Sequence, residues 1–161
     1  MANEISFDSI DFITIGTIGA PGQRVFHLQF AAGEQLVTLI LEKEQAAAIS
    51  ASIKNVLEEI EQTYNRPTPE SDLSSLDLEL REPILPSFRV AQIGLGYDEQ
   101  SDRIILMMNE LQPEGAPGEP QVARLLATRE QMQALAAQAA RVVVAGRPTA
   151  QSNGKPRVQQ G

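Results

Sequence analysis

Along the first forty residues the apolar positions alternate, and then the period changes. In RVFHLQF (Arg24–Phe30), Phe26, Leu28 and Phe30 alternate with Val25, His27 and Gln29, the period-two pattern of a strand with one buried face. FITIGTIG (Phe12–Gly19) before it and QLVTLIL (Gln35–Leu41) after it also read as strands, and AAGE (Ala31–Glu34) as the hairpin turn into the third. From Glu42 to about Tyr64 the apolar residues fall instead at Ile49, Ile53, Val56, Leu57 and Ile60, leaving Lys54, Glu58 and Glu59 for solvent. That spacing predicts an amphipathic helix.

Residues 65–87 hold four prolines and five acids within RPTPESDLSSLDLELREPILP and read as an acidic linker with a short extended piece near LDLEL. The order of elements then begins again. FRVAQIGLGYD (Phe88–Asp98) and DRIILMMNE (Asp102–Glu110) predict a hairpin, QPEGAPGEP (Gln112–Pro120) a long loop and QVARLLA (Gln121–Ala127) a third strand. TREQMQALAAQAARVVVAG (Thr128–Gly146) predicts a helix closed by a glycine. Shifting the first half by 86 places Leu39 on Leu125, Glu44-Gln45 on Glu130-Gln131 and Val56 on Val142, and at the front a shift of 75 places Ile15 on Val90.

The pattern therefore predicts an α+β fold of two βββα repeats, 12–64 and 88–146, joined by the linker 65–87. A lone meander with one helix buries its apolar face poorly. The expected arrangement is a single domain over residues 1–146, with pseudo-twofold symmetry and an antiparallel sheet covered on one face by both helices. The stretch 147–161 has three basic residues and no acid, and reads as a disordered tail.

Composition narrows the chemistry. The 161 residues are 42% hydrophobic with a formal charge of −8, and they contain one histidine and no cysteine. Disulfides, thiolate metal sites, cysteine nucleophiles and clusters of several imidazoles are excluded within one chain. No metal ligand set or cofactor is expected. The N-terminal MANEISFDSIDF has neither a basic region nor an apolar run, so no signal peptide or anchor is expected and a cytoplasmic location is. An acidic chain with 4% aromatics is ill suited to nucleic acid, and no apolar run approaches a membrane span.

Gly16, Gly19 and Gly22 precede Gln23 and Arg24 in GTIGAPGQR. A phosphate-binding loop would lead into a helix with a Lys-Ser/Thr pair, whereas this one leads into a strand. Pro21-Gly22 suits the centre of a type II turn. Arg24 at its mouth remains a candidate for holding a carboxylate or phosphate. LEKEQ (Leu41–Gln45) and ATREQ (Ala127–Gln131) occupy matching strand-to-helix corners. Thr128 with Gln131 fits a capping box, while Glu42, Lys43 and Glu44 place three charges at the first helix entrance.

The motif GxxGxPGQRxFxLQ (Gly16–Gln29), LEKEQ at the first helix start and RVVVAGRP (Arg141–Pro148) at the end of the second resemble the bacterial family called domain of unknown function 3090. The resemblance brings no established activity. It implies that many relatives carry a cysteine-rich ribbon after the GRP, which this sequence lacks.

Three functional expectations follow. The first is a non-enzymatic binding or adaptor module whose corner of Gln23, Arg24, Lys43 and Glu44 recognises a protein partner or a small anionic ligand. The second is an enzyme for a phosphorylated or carboxylated small molecule, with Arg24 on the anion and His27 or Glu44 as catalytic proton carrier. The third is a subunit of a homo-oligomer joined through the sheet face bare of helices.

Overall fold

A computed structural model describes residues 4–145 except Pro21, Ser71, Ser74 and Ser75. Its elements are β1 (Glu4–Phe7), β2 (Phe12–Ile18), β3 (Val25–Ala32), β4 (Gln35–Leu41), α1 (Lys43–Tyr64), β5 (Pro86–Asp98), β6 (Arg103–Glu110), β7 (Val122–Ala127) and α2 (Arg129–Ala145). The closing glycine expected at residue 146 and the stretch 147–161 lie outside the described residues.

The mixed α+β architecture follows from the alternating and helical periods. In β3, Phe26, Leu28 and Phe30 are buried and face Leu41, Leu39 and Val37 of β4. In β6, Ile104, Leu106 and Met108 are buried against Ala127, Leu125 and Ala123 of β7. All nine elements contribute to one hydrophobic cluster, into which α1 sends Ile49, Ile53 and Ile60, and α2 Met132, Leu135 and Ala139. The helices pack on each other, with α1 beside β5 and α2 beside β2.

Two expectations are corrected. The seven strands run β1-β7-β6-β5-β4-β3-β2, and the sheet is mixed, because β4–β5 and β1–β7 are parallel. Alternation reports which face a strand buries and carries no information on its direction. A parallel neighbour requires a crossover, and α1 together with residues 65–85 supplies it between β4 and β5. The second correction is β1, a four-residue strand too short to show a period, which the sequence reading missed.

The two edge strands, β1 and β2, are separated in sequence only by residues 8–11. The sheet must therefore curl to bring its edges together. It does so: Phe7 of β1 meets Phe30 of β3 edge to face with ring centroids 5.5 Å apart, a favoured aromatic geometry. The Asp11 N–H donates to Ala31 O at 2.8 Å.

Residues 76–85 form a strap laid on the outer face of β2 to β4, and they are more than a linker. The Gln29 carboxamide on β3 is fully buried. Its Oε1 accepts the Arg81 N–H at 2.7 Å, and its Nε2 donates to Arg81 O at 2.8 Å and to Thr38 Oγ1 at 3.0 Å. One side chain thus reproduces the two-bond exchange of a strand pair. Thr14 donates to Leu78 O at 2.5 Å, and the Arg81 guanidinium lies 3.6 Å from the Phe12 ring centroid. Gly16 is required by close approach, since a Cβ there would sit 2.9 Å from Leu80 Cγ. The first glycine of the motif therefore seats the strap.

Gln29→Ala would leave the Arg81 N–H and carbonyl without their buried partners, at a cost of about 2–4 kcal/mol. Urea denaturation should show that loss. Gln29→Glu should also be destabilised, because a carboxylate keeps the Arg81 N–H contact but has no donor for Thr38 or Arg81 O.

Candidate functional site

At two corners of the chain a strand runs directly into a helix, β4 into α1 and β7 into α2. In the first, the β2–β3 turn delivers Arg24 just before β3, and β4 runs into Glu42 and then Lys43, the first residue of α1. Gly22 takes φ 85° in this turn, and Gly19 takes φ 120° where a Cβ would lie 2.7 Å from Gln23 O. At the helix entrance the Glu42 N–H donates to Gln45 Oε1 at 2.7 Å, while Gln45 Nε2 donates to Val90 O and Ala91 O at 2.9 and 3.1 Å. Those carbonyls lie where β5 shifts register between Val90 and Gln92, so Gln45 serves the helix end and the irregular strand together.

Around this corner is a cavity of about 350 Å³ walled by Arg24, Glu42, Lys43, Glu44 and Arg89, with Phe26 and Leu41 among its apolar lining. Arg89 of β5 donates to Glu42 Oε2 at 2.7 Å. Arg24 Nη1 reaches Ala145 O at 3.4 Å, at the last turn of α2. That helix has no basic residue in its last turn, and a cation there complements the dipole. Among the described residues no ion pair joins Arg24 or Lys43 to a carboxylate.

The second corner is closed. Asp102 stands just before β6 and Arg129 opens α2, the same two places that Arg24 and Lys43 hold in the first corner. Arg129 grips Asp102 with both ends of its fork, Nε to Oδ1 and Nη2 to Oδ2, each at 3.0 Å. The Tyr97 hydroxyl donates to Asp102 Oδ1 at 2.5 Å and accepts from Arg66 Nη1. Arg129 Nη1 also donates to Pro67 O at 2.9 Å, which fastens the chain leaving α1. Thr128 and Gln131 complete a reciprocal capping box at 3.0 and 2.9 Å.

The electrostatics follow the contacts. The hydrogen bonds from Arg129 hold the Asp102 carboxyl below its ordinary value, with Tyr97 adding to the effect. Burial, then the bond to Asp102, pushes the Tyr97 hydroxyl up.

Of the residues singled out from sequence, Arg24, Lys43 and Glu44 share the first cavity. Gln23 is exposed in the turn, with its N–H on Ala20 O at 2.9 Å, and is not on the cavity wall. His27 is buried, with Nδ1 3.0 Å from Val25 O, and is not on that wall either. Sequence reasoning missed Arg89, because it arrives from a strand far along the chain. Among the described residues no group of three or more His, Cys, Asp or Glu is placed to hold a metal ion. No helix among them is long and apolar enough to cross a membrane.

A family model described as protein of unknown function (DUF3090) matches residues 5–161. The chain belongs to the DUF3090 family. No curated protein and no solved structure matches it. In this DUF3090 chain the glycine-rich motif ends at the open first corner, and LEKEQ supplies the facing wall.

The second corner makes a prediction for pH. Because the folded-state pKa of Asp102 is lowered, its stabilisation is fully present above its unfolded value of about 3.9 and is lost as pH falls through the folded value. Asp102→Asn should lower the Tm at neutral pH, and the gap to the native chain should close below about pH 4. A calorimetric scan series checks both; a gap unchanged in acid would contradict the assignment.

Proposed function

We propose that this chain is a non-enzymatic binding module whose first corner takes an anionic group, a carboxylate or phosphate, from a partner. The observation that carries this reading is a charge difference between equivalent places. Where the second corner pairs Asp102 with Arg129, the first has Arg24 and Lys43, two cations that form no ion pair among the described residues, on a wall that Glu42, Glu44 and Arg89 share. An anion arriving from outside would do there what Asp102 does in the second corner, and bidentate recognition by a guanidinium suits a carboxylate or phosphate. The N-terminal N–H groups of α1 add to the attraction. Glu42 is held by Arg89 at 2.7 Å, which reduces its competition for an incoming anion. His27 is not on the wall of this cavity, which favours binding over turnover.

This reading treats the two halves as copies of one βββα unit. The pairings support it: Leu28 faces Ile15 and Leu39 as Leu106 faces Leu95 and Leu125. On that basis Ile15 corresponds to Leu95 rather than to Val90, and β1 with β2 together corresponds to the long β5. Phe7 opposite Leu125 and Phe88 opposite Leu39 are then the same contact made twice. The cytoplasmic location expected from the sequence suits such a module.

Titration of the isotope-labelled chain with inorganic phosphate and with citrate tests the site. The amide resonances of Lys43 and Glu44 should shift, and Arg24→Ala with Lys43→Ala should weaken binding by roughly tenfold or more, about 1.4 kcal/mol. Arg124→Ala, on β7 away from the corner, should leave it unchanged. Equal affinity in the double variant would refute the assignment.

A further inference from the structure

β5 and β6 turn one face to the core and leave the other bare. Ile93, Leu95 and Tyr97 of β5 pack against the hydrophobic cluster, and Ile104, Leu106 and Met108 of β6 are buried in it. Alternation therefore turns Gly94, Gly96 and Asp98, with Arg103, Ile105 and Met107, to the opposite face. The register sets them in three rows: Gly94 beside Met107, Gly96 beside Ile105 and Asp98 beside Arg103. On β2 the strap fills such a place, with Leu80 over Gly16. A Cβ at Gly94 or Gly96 would meet nothing within 4 Å, and neither residue has a positive φ. No contact or backbone conformation within the chain asks for glycine there, although glycine weakens a strand interior. The two glycines leave a trough, and Met107 stands beside it 41% exposed. At one end of the rows Asp98 accepts the Ser101 hydroxyl at 2.6 Å but forms no ion pair with Arg103. The Arg103 guanidinium has no partner among the described residues.

We propose that this face joins two copies of the chain. The two-fold axis lies in the plane of contact, along the strands and between β5 and β6, so that β5 of each copy rests on β6 of the other. Three observations choose a second copy as the occupant. The first is shape. Knob and hole are neighbours on one face, so the axis puts Met107 and Ile105 of each copy over the trough at Gly94 and Gly96 of the other, as an isologous interface requires. Facing sheets ordinarily sit about 10 Å apart, and the two missing side chains make room between them for a flexible thioether. The second is charge. Rotation about an axis along the strands keeps each row at its own height, so Asp98 of each copy faces Arg103 of the other and both pairs are satisfied at once. The third is the balance of the surface. The chain carries a formal charge of −8, and two copies meet with least repulsion on a face whose charges cancel. Asp98 and Arg103 cancel here, and Arg124, beside Met107 on β7, lies 3.4 Å from Asp8. Two strands offer less than the roughly 800 Å² per partner of a standard interface, so the dimer is weak and forms as concentration rises. The interface is separate from the first corner and does not rest on the anion-binding reading.

Sedimentation equilibrium on the full-length chain, at concentrations up to millimolar, tests the interface together with amide spectra over the same series. The mass should rise from 17.5 kDa toward twice that value, and the amide resonances of Gly94, Gly96, Ile105 and Met107 should move in step with it. Gly94→Val with Gly96→Val fills the trough. This variant should keep or raise the Tm, because valine suits a strand and the space above each position is open. It should weaken self-association by roughly tenfold or more, because the added side chains clash only in the dimer. Met107→Glu, a change at an exposed position, should weaken it as much, and this arm does not depend on how the glycine variant folds. Asp98→Arg and Arg103→Asp should each weaken self-association, while a mixture of the two variant chains should associate more tightly than either alone. A mass that stays at the monomer value across the series would overturn the proposal. So would self-association that the Met107 and glycine variants both retain, resonances that move only on another face, or a mixture no tighter than its parts.

Discussion

The fully buried carboxamide of Gln29 joins two parts of the chain that would otherwise have no reason to meet. An amide side chain presents a donor and an acceptor in the geometry of a peptide group, so it can pair with a backbone as another strand would. Gln29 does this with Arg81, and Thr38 takes its remaining donor proton. The strap is thereby fixed across β2, β3 and β4. Because the strap leads into β5, the same contact helps to set where β5 begins. The parallel β4–β5 pairing, and through it the second half of the sheet, depends on that return path.

The curl of the sheet then places the helices and the corners. With the edges drawn together by residues 8–11, α2 packs beside β2 and its Gln131 donates to Ile10 O at 2.9 Å, while Gln138 donates to Ile15 O at 3.2 Å. Gln45 does the corresponding service for β5 from α1. Each glutamine bonds strand or loop carbonyls from a helix, and a buried carbonyl left unpaired is costly. The two corners share this framework and differ in charge. One is neutralised internally by Asp102 and Arg129. The other brings Arg24, Lys43 and Arg89 together with Glu42 and Glu44 at a helix entrance, with Arg89 paired to Glu42, and the proposed function rests on that difference.

Much of the framework was legible in the sequence because it is written in periods. The alternation of Phe26, Leu28 and Phe30 and the helical spacing of Ile49, Ile53 and Ile60 identify elements directly, and Thr128 with Gln131 announces its cap. The likeness of LEKEQ to ATREQ also drew attention to both corners, and Arg24, Lys43 and Glu44 do share a wall. Contacts between side chain and backbone have no period, so residues 76–85, rich in proline and acid, read as a linker although Gln29 and Thr14 hold them down. Strand direction is equally silent in a hydrophobic pattern. Arg89 and the Tyr97–Asp102–Arg129 cluster depend on the tertiary path that brings distant turns to the helix ends.

The strap is part of the folded sheet rather than a connection between its two sides. Native-state hydrogen exchange at the Arg81 amide tests it most directly, because that N–H is bonded to Gln29 Oε1 and to no strand. If the claim holds, the Arg81 amide exchanges only through the same cooperative opening as the amides of β3, with a matching free energy and denaturant dependence. Exchange at the rate of an exposed loop, while β3 stays protected, would contradict it.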